Sequence, residues 1–348
     1  MIPAPQRAAP ALVVAPPLRV AAVGGGTGVP RVLAGLAAAA RDPARGLGGP
    51  VLGPRGAPRR ALEVTAGVAT SDDGGSSGEL RRRYGVPSPG DIRNCLVALS
   101  AGPGPLAALF QHRFDGEGSL AGHTVGNVVL TALAQQLGDF SLAVRAAGQL
   151  LGVRGAVVPA TERSVELVAT LDDGRVIRGE SAIAAARGTV GRLALDGPAP
   201  APPEALAAVR GADLVVLGPG SLYSSVIAAL LVDGMADALA SCRGVRVLVV
   251  NLFTQPGETD GYGAADHVRA IERHLGRVVD VALLHAAPAP PRLVESYAAQ
   301  ESHPVRLDRD ALEAMGVVVA EADLLAPGGD TARHDPGRRA AALLGLAR

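Results

Sequence analysis

The stretch Leu18–Val23 reads as a short apolar strand, and it runs without a break into Gly24-Gly25-Gly26-Thr27-Gly28. Beyond it, apolar residues at Val32, Leu33, Leu36 and Ala40 recur at helical spacing up to Arg41. A strand that ends in glycines and turns directly into a helix leaves few architectures open. It is the opening of a nucleotide-binding βαβ unit, in which glycines permit the tight turn and let backbone N–H groups approach an anion at the helix N-terminus. Val29 stands where G-x-G-x-x-G would place its third glycine, so the nicotinamide fingerprint is incomplete.

The rest of the chain repeats the theme. Leu62–Thr70 reads as a second strand ending in Ser71-Asp72-Asp73-Gly74-Gly75-Ser76-Ser77-Gly78. Leu214–Leu217 is a third, ending in Gly218-Pro219-Gly220-Ser221, and Val245–Val250 and Val279–Leu284 are two more, with a helix near Ala264–Leu275 between them. Val165–Glu180 has the turn chemistry of a hairpin around Asp172-Asp173-Gly174. These signals predict an α/β fold: a Rossmann-like, mostly parallel sheet with helices on both faces and an inserted helical subdomain. The expected division is a disordered leader (1–17), the first part of the α/β domain (18–88, with a loop insertion at 42–60), a helical subdomain (89–153), the remainder of the α/β domain (154–332) and a helical or frayed tail (333–348).

Composition removes whole classes of chemistry. All 33 basic residues counted as Lys or Arg are arginine. Lysine Schiff bases, a pyridoxal phosphate anchor and the G-x-x-x-x-G-K-[ST] loop are therefore excluded, and any phosphate must be met by arginine, backbone N–H groups, hydroxyls or a metal. A net charge of +0 gives no electrostatic footprint for nucleic acid, and no apolar run approaches the ~20 residues that span a bilayer. The two cysteines, Cys95 and Cys242, form neither a zinc spacing nor a disulfide framework, as suits a cytoplasmic protein.

Ligands of open α/β sheets bind beyond the strand carboxyl ends. The candidate site therefore collects Gly24, Gly25, Gly26, Thr27 and Gly28; Asp72, Asp73, Gly74, Gly75 and Ser76; and Gly218, Gly220, Ser221, Tyr223 and Ser224. Asp72 or Asp73 suits a sugar or ribose hydroxyl, or a divalent metal held through oxygen; capping of the following helix is the structural alternative. From the helical region come Asp91, Arg93 and Asn94, then His123 and Asn127, which share one helix face, four residues apart, if that helix starts near Gly122. In the loop after Val250, Asn251, Thr254 and Tyr262 are candidates, with Tyr262 placed to stack on a base or else to join the core. The chain has three asparagines in all, Asn94, Asn127 and Asn251, each beside a glycine-bearing polar motif. No residue is marked as a general acid or base, and no nucleophile elbow or metalloprotease helix is present.

These motifs, with Pro89-Gly90-Asp91-Ile92-Arg93-Asn94, Gly122-His123, Gly126-Asn127, Gly218-Pro219-Gly220-Ser221-Leu222-Tyr223-Ser224-Ser225 and Asn251-Leu252-Phe253-Thr254-Gln255-Pro256-Gly257-Glu258-Thr259, resemble the YvcK-type gluconeogenesis factor family of the CofD-like superfamily over about Leu18 to Leu325. The resemblance implies a cytoplasmic factor that binds a nucleotide-diphosphate sugar such as UDP-N-acetylglucosamine and supports growth and cell shape on gluconeogenic carbon sources. It also implies a homo-oligomer, no nucleic-acid partner, no membrane insertion and no demonstrated catalysis. The alternative is a CofD-type transferase that moves a phospholactyl group onto a deazaflavin alcohol. The chain departs from that pattern at Gly74–Gly78 and at Gly218–Ser221.

Overall fold

The computed structural model describes residues 15–41, 60–102 and 104–347. β1 (Ala15–Gly24) passes through α1 (Gly28–Arg41) to β2 (Arg60–Val68), which pairs with it in parallel. The chain then runs through α2 (Gly75–Tyr84), α3 (Gly90–Leu99), α4 (Pro105–Gln111), α5 (Val125–Leu137) and α6 (Phe140–Leu150) before β3 (Ala156–Pro159). Next come β4 (Leu167–Leu171), β5 (Val176–Arg178), α7 (Glu180–Ala185) and β6 (Val190–Leu195), which build a small antiparallel sheet in the order β5-β4-β6. α8 (Pro203–Arg210) leads back to β7 (Leu214–Leu217). A π-helical segment, Leu222–Ile227, continues into α9 (Ala228–Leu230) and α10 (Met235–Ser241). β8 (Val245–Val249), α11 (Ala264–Leu275), β9 (Val281–His285), α12 (Pro291–Ala298), α13 (Arg309–Ala314), β10 (Val318–Ala322) and α14 (Pro336–Leu346) complete the chain.

The main sheet is parallel throughout, in the order β10-β9-β8-β7-β1-β2-β3. Strand order runs one way from β1 to β3 and the other way from β7 to β10. The reversal therefore falls between β1 and β7, where an open α/β sheet leaves a crevice. Side-chain alternation explains why both faces are covered. Leu18, Val20 and Ala22 of β1 join α1, α3, α6 and α14 in one buried cluster, whereas Ala21 and Val23 join the π-helical segment, α11 and the small sheet in the other. Among the described residues no helix is long and apolar enough to cross a membrane.

Three short strands carry too little pattern to be foreseen: β3, β6 and β10 span four to six residues each and include Gly, Pro or Glu. The leader begins to be ordered earlier than expected. Residues 15–17 extend β1, and the Arg60 guanidinium donates to the carbonyls of Pro16 and Pro17 at 2.9 Å each. Residues 1–14, and 42–59 of the expected insertion, lie outside the described residues. The tail is an ordered helix rather than a frayed end. Asp335 caps α14 by accepting from the Arg338 N–H at 2.8 Å, and Leu343 is fully buried.

Gly35 of α1 admits α14 closely, since a Cβ there would lie 2.1 Å from the Pro336 carbonyl oxygen. Gly35→Ala is expected to destabilise the fold by about 2 kcal/mol, because backbone rather than a flexible side chain must give way. Chemical denaturation measures this, and an unchanged midpoint would contradict the packing described.

Candidate functional site

At the reversal point the first and third glycine loops touch. A Cβ on Gly28 would lie 1.7 Å from the Pro219 carbonyl oxygen, and the Gly218 N–H donates to the Val23 carbonyl at 2.9 Å. Asn251, at the end of β8, holds the second wall. Its Oδ1 accepts from the Gly220 N–H at 3.2 Å and its Nδ2 donates to the Gly220 carbonyl at 2.8 Å. Gln255 Nε2 donates to Ser221 Oγ at 2.9 Å, and Thr254 Oγ1 accepts from the His303 N–H at 3.0 Å. The result is a cleft of about 280 Å3 lined by Gly26, Thr27, Gly28, Gly220, Ser221, Asn251 and Thr254, all expected from sequence.

The other wall was not foreseen. Arg31 of α1, Phe253, Tyr297 of α12, and Arg333, His334 and Arg339 from the C-terminal segment line the same cleft. A hairpin strap carries Arg333 and His334: Leu325 bridges His334, the Ala326 N–H donates to the Arg333 carbonyl at 2.8 Å, and the Ala332 N–H donates to the Tyr297 hydroxyl at 3.0 Å. Phe253 and Tyr297 lie with ring centroids 4.5 Å apart. Arg339 is 1% exposed, and none of its three guanidinium nitrogens has a hydrogen-bond partner among the described residues. Burial, and then the charge of Arg31, push its pKa down to about 9. Burial and Arg333 likewise lower that of Arg31. Three arginines thus crowd one wall, one of them buried with no hydrogen-bond partner among the described residues and only the more distant charge of Asp335 to offset its own, an arrangement that costs several kcal/mol.

Carboxyl groups gather on the far side of the first loop. Asp91 Oδ2 accepts from the Gly26 N–H at 2.5 Å, and burial raises the Asp91 pKa to about 6, with Asp72 adding to the effect. Asp72 Oδ1 accepts from the Gly74 N–H at 2.9 Å. Glu180, at the start of α7, was missed because its neighbours carry no motif. Burial, then Asp72 and Asp91, raise its pKa to about 8. Asp73 serves this arrangement structurally, accepting from the Ser181 N–H at 3.0 Å and the Ser181 hydroxyl at 2.5 Å. Gly75 is exposed beside these groups. Among the described residues no group of three or more His, Cys, Asp or Glu side chains is arranged to hold a metal ion.

Several expected ligand contacts are instead engaged with one another. Ser76 Oγ lies 3.0 Å from His123 Nδ1, and Asn127 Nδ2 donates to Ser76 Oγ at 3.1 Å. Arg93 donates to Asn127 Oδ1 and Asn94 Oδ1 at 2.8 Å each and also to Thr124. This buried network ties α2, α3 and α5 together. The arginines that face the cleft are accordingly Arg31, Arg333 and Arg339, not Arg93. Tyr223 is fully buried and donates to the Val190 carbonyl at 3.0 Å, with the Tyr262 hydroxyl 2.8 Å away. Tyr262 packs against the core and His267, so the base-stacking role expected of it is corrected to a structural one. The Ser224 N–H donates to Glu258 Oε1 at 3.0 Å, which makes Glu258 a cap for the π-helical segment. Of the three asparagines, Asn251 alone lines the cleft.

Asp91 yields a signed pH prediction. Its folded pKa of about 6 lies above the unfolded value of 3.8, so the carboxyl favours the folded state fully only below the unfolded pKa. That contribution is lost as pH rises to about 6. Asp91→Asn keeps an acceptor for the Gly26 N–H and removes the buried charge, so it is expected to stabilise the protein by roughly 3 kcal/mol at neutral pH and to lose that advantage in acid. Urea titrations at the two pH values check it; equal differences at both would refute the assignment.

Comparison with known proteins places this arrangement. Residues 20–325 match the family model described as 2-phospho-L-lactate transferase CofD. The gluconeogenesis factor of Bacillus subtilis is 40% identical over 294 residues, covering 84% of this chain and 93% of that protein. The gluconeogenesis factor of Halalkalibacterium halodurans is 40% identical over 293 residues, covering 83% and 91%. The crystal structure of a Bacillus halodurans protein superposes with a TM-score of 0.86 at 37% identity, covering 94% of this chain and 99% of that one. The chain thus belongs to the gluconeogenesis factor family within the CofD-like superfamily.

Proposed function

We propose that the cleft binds a nucleoside diphosphate sugar, and that the protein is a cytoplasmic, oligomeric factor that couples the level of this metabolite to growth and cell shape on gluconeogenic carbon. The observation that carries the reading is Arg339, a guanidinium buried without a partner among the described residues, in a cleft that also holds two glycine loops. A diphosphate set between the backbone N–H groups of Gly26–Gly28 and Gly220 and the guanidinium groups of Arg31, Arg333 and Arg339 supplies the missing charge. Phe253 and Tyr297 then offer the base an aromatic surface, the role first expected of Tyr262. The sugar extends past Gly26 toward Asp72, Asp91 and Glu180, whose oxygens suit hydroxyl groups.

A second reading has its own support. The CofD family model matches most of the chain, and Asp91 and Glu180, with pKa values near 6 and 8, are tuned for proton transfer at neutral pH. Phospho-group transfer onto a deazaflavin alcohol is therefore the enzymatic alternative. Absence of turnover with the phospholactyl donor and deazaflavin acceptor eliminates it.

For the binding reading, Arg339→Met gives two effects of opposite sign. The free protein gains thermal stability, since an unpaired buried charge is replaced by an apolar chain of similar length. Affinity for UDP-N-acetylglucosamine falls by about 100-fold. Differential scanning fluorimetry and titration calorimetry read the two effects. A variant that binds as tightly as the native protein would remove the anion site from the cleft.

A further inference from the structure

Alternate residues of a strand turn their N–H and C=O groups to opposite sides, so an edge strand carries backbone groups that its own sheet leaves unpaired. Among the described residues the edges are β10 and β3 in the main sheet and β5 and β6 in the small one. Three of these are closed. On β3 the Ala160 N–H donates to the Val68 carbonyl at 2.7 Å, which turns Val157 and Pro159 outward. Pro159 has no N–H to offer, and both residues are buried. β5 is three residues long and ends on Arg178, which is held by Asp196. β6 lies against α11: the Leu193 N–H donates to His274 Nε2 at 2.8 Å, and the Gly191 carbonyl accepts from Arg273 at 3.2 Å.

β10 is open. The Val318 N–H donates to the Asp280 carbonyl at 2.9 Å, and the Ala322 carbonyl accepts from the Ala286 N–H at 3.1 Å. Val318, Ala320 and Ala322 therefore turn their backbone groups to β9, and those of Val319 and Glu321 face outward. Every residue of the strand except Glu321 is apolar, yet none is buried, and Val318 is 61% exposed. The outward groups complement themselves in one register. Set antiparallel against a second copy with Ala320 on the two-fold axis, Val319 of each copy faces Glu321 of the other, and every outward N–H meets an outward carbonyl. Val318 then falls opposite Ala322, and Ala320 opposite its own copy, where small side chains let the strands approach. Glu321 is opposed by Val319 rather than by another carboxylate, and Arg309 already meets its charge. Other registers leave part of the set unpaired.

We propose that β10 is the surface through which two copies of this chain join, edge to edge and antiparallel about Ala320, so that their main sheets become continuous. The inference rests on the oligomeric part of the proposed function and gives it a surface. The occupant is a second copy because the edge presents, in a single register, the donors, acceptors and apolar side chains that it needs from a partner. The same patch used twice about a two-fold axis closes the assembly at a dimer and leaves neither β10 edge free to recruit further chains.

Val319→Pro tests the hydrogen bonds. The Val319 N–H faces outward, so proline removes no bond within the sheet, while its ring obstructs a second copy. Sedimentation velocity is expected to give twice the chain mass for the full-length native protein and the single-chain mass for Val319→Pro, with circular dichroism unchanged. Ala320→Cys in a Cys242→Ser background tests the register. Directly opposed residues of a non-hydrogen-bonded antiparallel pair have Cα atoms about 4.5 Å apart, so oxidation is expected to give a covalent dimer that reductant dissolves. Val319→Cys in the same background is expected to give none, because its two copies are diagonal neighbours, roughly 7–8 Å apart. A native dimer that Val319→Pro leaves intact, or an oligomer in which Ala320→Cys forms no disulfide, overturns the pairing and leaves the oligomeric reading standing. A native protein that sediments as a single chain overturns both. Should Val319→Pro fail to fold, the contrast between Ala320→Cys and Val319→Cys decides alone, and equal cross-linking of the two counts against the register.

Discussion

The close approach of two backbone turns at the centre of the sheet is the constraint on which the rest depends. Gly28 lies against the Pro219 carbonyl with no room for a Cβ, and only because of this do the loops after β1 and β7 meet. That contact is a consequence of topology: strand order reverses between these two strands, so their following loops part to opposite faces and leave a crevice. Asn251 then fixes the β7 loop by pairing both polar ends of its amide with the Gly220 backbone. A seat of backbone N–H groups results, with arginines rather than lysines beside it.

Around that seat the charges divide by sign. Arginines from α1, the strap and α14 occupy one side, and carboxyl groups from the β2 loop, α3 and α7 the other, with Gly26 between them. Each group is unfavourable in isolation. Burial lowers the pKa of Arg339 and raises those of Asp91 and Glu180, so the fold holds both kinds of group away from their preferred state. The proposed ligand, with an anionic middle and a hydroxyl-rich end, would meet both sides at once.

The legible part of this design is local. Leu18–Gly28 announced itself because strand, glycine turn and helix follow one another without a break, and Asp91 and Asn251 stood out as polar residues beside glycine motifs. Arg93, His123 and Asn127 were legible in the same way, yet they bond to one another and to Ser76 between α2, α3 and α5, with Arg93 Nε left without a partner among the described residues. Spacing reveals that polar residues cluster; it does not reveal whether they face a cavity or each other. What sequence reading missed came from far along the chain. Arg339 reaches the cleft only because α14 packs on α1 through Gly35, and Glu180 only because a small separate sheet docks beside the loops. The Asp335-Pro336 pair was a readable helix start, so α14 itself could have been found, although its target could not.

One measurement bears most directly on the central claim: a crystal structure of the protein with bound UDP-N-acetylglucosamine. The account places the diphosphate between the glycine-loop N–H groups and the Arg339 guanidinium, with the sugar on the side of Asp91 and Glu180. A diphosphate bound elsewhere, with Arg339 still unpaired in the complex, would contradict it.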